Sequence, residues 1–88
     1  MSWREGGPLV PKLVMPAVIE VELRKELARL EKADTPVNCM ILQAGTEALV
    51  KALELLKAIP AADVERLYVL IENVATARMV ELEQNNRE

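Results

Sequence analysis

Two prolines, Pro36 and Pro60, bracket a stretch whose only charged side chains are Glu47, Lys51, Glu54 and Lys57. Proline fixes φ and removes a backbone donor, so it suits the first helical position and stops a helix that runs into it. Thr35, just before Pro36, is a competent N-cap. The segment therefore spells one long helix, about residues 36–59. At 100° per residue, Val37, Ile41, Ala44, Ala48, Ala52, Leu55 and Ile59 share one sector, with Leu42, Leu49, Leu53 and Leu56 beside it. The charges fill most of the remainder, interrupted by Cys39, Met40 and Val50. The apolar arc spans roughly 180°, whereas a surface helix needs only about 100°.

Two further helices flank it. In the first, about 17–33, Ile19, Leu23, Leu27 and Leu30 fall on one stripe, and Glu20–Arg24, Glu22–Lys25 and Glu26–Arg29 are favourable pairs. "VIEVEL" also alternates like a strand, but the helix formers of residues 24–33 decide for helix. The third runs from about 61 to 84, with Val64, Leu67, Ile71, Val74, Ala75, Met79 and Leu82 on its apolar face and Arg78 inside that face. The short connection at Pro60 implies a long antiparallel hairpin between the second and third helices. Residues 1–16 hold Pro8, Pro11 and Pro16 and read as an extended apolar arm. The expected organisation is that arm, a single helical domain over 17–85, and a frayed tail at 86–88.

Composition agrees with an all-α class. Apolar residues make up 51% of the 88, while Trp3 and Tyr68 are the only aromatics. A core of Leu, Val, Ile, Ala and Met suits helix-on-helix packing. The net charge of −3 and the acidic C-terminal third offer no basic footprint for nucleic acid. One cysteine excludes an internal disulfide. The opening "MSWREGGPLVPKLVMP" does not read as a signal peptide, and the uncharged run 35–46 is too short to span a bilayer. The expected setting is soluble and cytoplasmic.

The wide arc on the second helix is the key mismatch. The first helix is shorter and offers a stripe of only four large residues, so part of the arc is left over. At about 25 cal/mol per Å², several Leu-sized side chains left wet forfeit several kcal/mol, comparable with the whole stability of a small domain. Self-association or a partner helix recovers it, and a helical homodimer is expected. Ala44, Ala48 and Ala52 repeat every four residues beside Gly45, which lets another helix axis come close. The candidate partner or dimer interface is Ile41, Ala44, Ala48, Ala52 and Leu55. Arg78 reads first as a side chain that snorkels at the bundle end or pairs with Glu81, and joins the candidate interface as the alternative, an anchor for an acidic group on a partner. Trp3, Leu9 and Val10 join it as apolar contacts of the arm.

Catalytic equipment is thin. The chain has no histidine, its only serine is Ser2, and Gly6, Gly7 and Gly45 make no phosphate loop. No catalytic residue, cofactor or metal set is expected. Cys39, in the first turns of its helix, reads as a small hydrophobe at the edge of the polar sector near Lys57, with thiol reactivity as the alternative.

The function expected is a non-enzymatic protein-binding regulator or inhibitor, of the antiactivator or adaptor kind, that sequesters or tethers a larger protein through an apolar helix face. One alternative is a DNA-binding regulator. "KLVMP", a helix, then "DTPVNCMILQAGTEALVKAL", over residues 12–53, resembles in element order a ribbon-helix-helix repressor. A strand at "KLVM" leaves a rather long first helix, one at "IEVEL" turns Glu20 and Glu22 to the groove, and phosphate-binding charge is missing. A structural subunit of a larger assembly is the third possibility.

Overall fold

Thr35 begins the central helix as a cap should. Its Oγ1 accepts from the Asn38 amide at 3.0 Å, and Asn38 Nδ2 donates to Asp34 Oδ1 at 3.1 Å. In the structure, a computed structural model that describes residues 3–86, three helices form: α1 (Ala17–Glu31), α2 (Pro36–Leu55) and α3 (Ala61–Asn86). Among the described residues there is no strand. The molecule measures 44 × 27 × 21 Å. At about 1.5 Å per residue the 26 residues of α3 span about 39 Å.

The three expected ion pairs of α1 form, at 3.1 Å for Arg24–Glu20, 3.5 Å for Lys25–Glu22 and 2.6 Å for Arg29–Glu26. Its stripe is the one the spacing names. Leu23, Leu27 and Leu30 are fully buried, and Ile19 packs at the core edge. Val64, Leu67, Ile71, Val74, Ala75 and Leu82 of α3 close over them, with Met79 left at the boundary. The start of α2 lies beside the second half of α3, since the Cys39 thiol reaches the Ala75 carbonyl at 3.7 Å.

The helix bounds differ from expectation where local backbone chemistry intervenes. α2 stops at Leu55, short of residue 59, because Lys57 takes a left-handed φ of 53°. The Lys57 amide then donates to the Glu54 carbonyl at 3.1 Å and the Ala58 amide to that of Leu53 at 3.0 Å. This pair of bonds is the Schellman motif, built here on lysine where glycine is usual. α1 ends at Glu31, and Lys32 and Ala33 follow in a tighter turn bonded back to Arg29 and Leu30. α3 runs on to Asn86, past the expected 84; the rest of the expected frayed tail, residues 87 and 88, lies outside the described residues.

The N-terminal segment is not extended throughout. Trp3–Glu5 form a single 3-10 turn, Gly6 has a φ of 88°, and a turn at Lys12 (φ 65°) is closed by Leu13 N–H donating to the Val10 carbonyl at 3.1 Å. The apolar residues drive it inward: Leu9 and Val10 join the core, and Trp3, Leu13 and Met15 pack against it. Among the described residues no helix is long and apolar enough to cross a membrane.

Candidate interaction surface

α2 has two apolar sides and buries one. Cys39, Thr46, Val50 and Leu53 are its buried residues, supported by Leu42 and Leu49. The core side therefore lies at the far edge of the apolar arc and reaches into the sector assigned to charges. Cys39 and Val50, which interrupt the polar sector on the wheel, are core residues. Thr46 shares their depth because its hydroxyl donates to the Leu42 carbonyl at 2.7 Å, which satisfies it inside the helix.

The opposite side faces outward along its whole length. Val37 is 66% exposed, Ile41 63% and Leu55 71%, and Ala44, Ala48 and Ala52 between them are also exposed. Met40 and Leu56 widen this surface at its two ends. A Cβ added at Gly45 would meet nothing within 4 Å, so no close packing inside the chain accounts for that glycine. Isolated exposed valines or leucines are normal on proteins; here the exposed apolar residues form a continuous stripe along one helix.

The expected interface residues thus separate into two groups. Ile41, Ala44, Ala48, Ala52 and Leu55 form one continuous outward face. Arg78, Trp3, Leu9 and Val10 are engaged within the chain. Arg78 Nε donates to the Ala33 carbonyl at 2.7 Å and Nη1 to Glu81 at 3.2 Å. Leu9 and Val10 are 8% and 3% exposed, and Trp3 is half-buried.

A clamp on α1 holds the arm in place. Arg24 Nη1 donates to the Trp3 carbonyl at 2.8 Å, and Nη2 to the Gly7 carbonyl at 2.6 Å and to Glu20 at 3.1 Å. Arg4 pairs with Glu31 and stacks on the Trp3 ring, 4.9 Å from its centroid. Sequence spacing gives Arg24 only its Glu20 partner, because the carbonyls it binds are long-range and carry no side-chain signature.

Two other apolar surfaces are open. A cleft of about 410 Å³ runs between the start of α2 and the end of α3, lined by Pro36, Gln43, Ala75, Thr76, Met79, Val80 and Glu83. Val14, Val18 and Val21 are exposed in and before α1, on the side away from its buried stripe. On the sequence Val80 is one of two valines, with Val69, on an otherwise polar face of α3, and both are exposed.

The lone thiol, Cys39, is buried. Burial pushes the Cys39 thiol above its ordinary range, and the Arg78 guanidinium pulls it part of the way back. Among the described residues no group of three His, Cys, Asp or Glu side chains is placed to hold a metal ion. Comparison with protein-family models, curated proteins and solved structures finds no match to this chain.

Proposed function

We propose that this chain is a non-enzymatic helical interaction module: a homodimer that binds a larger protein through apolar helix surface and sequesters or tethers it. The observation that carries this reading is the outward face of α2. A closed three-helix protein would use its most apolar helix to fill its own core, yet here Val37, Ile41 and Leu55 stand more than half exposed. α2 packs against α1 and α3 on its other side. Removing such a stripe from water on binding is favourable in proportion to its area.

The α2 face, the cleft at Val80 and the valines of α1 look out from different sides, so one copy has room for more than one protein neighbour. Photo-crosslinking residues placed at Ala48, Val18 and Val80 in the native host test the reading, with exposed Glu65 as the control position. A discrete foreign protein joined at one of the three and not at Glu65 supports it. Absence of any foreign protein at all three overturns it.

A further inference from the structure

We infer that the outward face of α2 is covered by a second copy of the same chain, in an antiparallel two-fold pair centred on Ala48. This deepens the interaction reading above and rests on it. The first argument is symmetry of the residues themselves. Ile41 and Leu55 stand seven positions before and after Ala48, and Ala44 and Ala52 four before and after. Read from Ala48 in either direction, the face runs small, small, large. A two-fold interface needs this, because residue i of one copy meets residue j of the other and j meets i. A foreign helix imposes no such requirement. In the paired arrangement Ile41 lies level with Leu55 of the second copy, Ala44 with its Ala52, and Ala48 with its Ala48. Small side chains at the centre let the axes approach to the lower end of the usual 8–10 Å range.

The second argument is charge. Glu47 and Lys51 lie on the same flank of the outward face. A two-fold axis across the helices brings like flank to like flank, so Glu47 of each copy sits beside Lys51 of the other, offset by about 3 Å along the axis. In the single chain Lys51 is exposed and donates to Glu54 at 3.2 Å, leaving donor capacity for a second carboxylate. A parallel pair would place Glu47 level with Glu47 and lose the pairing of Ile41 with Leu55. The face is one helix long, about 30 Å, so the contact is at the small end for stable dimers, and the dimer is expected to exchange with monomer on dilution.

Sedimentation at micromolar and submillimolar concentration, together with cysteine crosslinking, tests this. Cys39 is buried, so the wild-type chain serves as the blank. Ala48→Cys alone is expected to form a disulfide-linked dimer. Ala44→Cys and Ala52→Cys alone are expected not to, while an equal mixture of the two links them to each other. All three positions are exposed in the single chain, and helicity by circular dichroism checks that each variant folds. Ala48→Glu sets two like charges on the two-fold axis and is expected to weaken the dimer about a hundredfold or more with helicity unchanged. Glu47→Lys is expected to weaken it less, and adding Lys51→Glu to restore it. Self-linking at Ala44 and Ala52 as strongly as at Ala48 overturns the antiparallel register. A monomer at every concentration overturns the second copy as occupant; it leaves the broader reading, apolar helix surface that binds a larger protein, standing if Ala48, Val18 or Val80 crosslinks a foreign protein in the host, and removes both if none of the three does.

Discussion

Arg78 on α3 donates to the carbonyl oxygen of Ala33, just past the end of α1, at 2.7 Å. The acceptor belongs to the turn that closes α1, where backbone carbonyls lose their helical partners. Ala33 is itself buried, so its carbonyl has poor access to water. Arg78 lies within the apolar face of α3 because its long stem packs there while its head reaches this carbonyl and Glu81.

Arg78→Met keeps the stem and deletes the head. It is expected to destabilise the chain by about 1–3 kcal/mol, the cost of stranding a buried acceptor. Glu81→Gln, whose carboxylate is mostly in solvent, is expected to cost about 0–1 kcal/mol, as surface pairs do. Urea denaturation of the two variants checks the ordering. Equal effects would mean that the ion pair, and not the carbonyl, is what Arg78 serves.

Arg24 holds the arm by two backbone carbonyls, those of Trp3 and Gly7. Arg24→Met is expected to release it: Trp3 fluorescence shifts to the red, and proteolysis begins within residues 3–13 while the helices stay protected. Glu20→Gln leaves both carbonyl bonds in place and is expected to change neither readout. A tryptophan spectrum identical in wild type and Arg24→Met would show that Leu9 and Val10 suffice to dock the segment.

The thiol of Cys39 gives a pH dependence with a definite sign. Its folded value is raised by burial, while an unfolded thiol titrates near about 8.5. Above that pH the unfolded chain sheds the proton that the folded chain keeps, so stability falls as pH rises through the folded value. Below the unfolded value the contribution is fully present. The stability difference between wild type and Cys39→Ala is expected to be constant from pH 6 to about 8 and to shrink above that. A thiol reagent is expected to react only as fast as the chain opens. Rapid stoichiometric labelling of the folded protein at neutral pH would contradict both expectations.

The helical class, the three helices and the core stripes of α1 and α3 were legible because apolar side chains at helical spacing have one dominant way to be buried. α2 was harder for the same reason. With Ile41, Ala44 and Ala48 on one side and Leu42, Leu49 and Leu53 beside them, periodicity alone does not choose which side turns inward. Volume decides it: α1 and α3 leave room that Val50, Leu53 and Leu42 fill better than three alanines. That choice buries Cys39 and Thr46 and leaves the alanines outside. The arm was only half legible. Its apolar content implied docking, but the clamp that docks it works through backbone carbonyls, which no side-chain pattern records. The early end of α2 was hidden because lysine in the left-handed region is rare enough that Lys57 reads as one more helical residue.

That lysine and Gly45 sit in each other's preferred places. Lys57 carries a φ of 53°, where a Cβ crowds the backbone and glycine does not. Gly45 sits inside α2, where glycine costs about 1 kcal/mol relative to alanine, and an added Cβ there meets nothing within 4 Å. Lys57→Gly is therefore expected to stabilise the isolated chain by up to about 1 kcal/mol by relieving the left-handed strain. Gly45→Ala is expected to stabilise it by a similar amount through the helix. The sites are more than one helical turn apart and share no partner, so the double variant should show the sum within about 0.5 kcal/mol. Thermal and urea unfolding of the single and double variants, at concentrations low enough to keep the chain monomeric, measure this. A loss of stability in Gly45→Ala under those conditions would mean that the backbone there is held away from regular helix by something inside the single chain, and the reading of that position as open surface would fail.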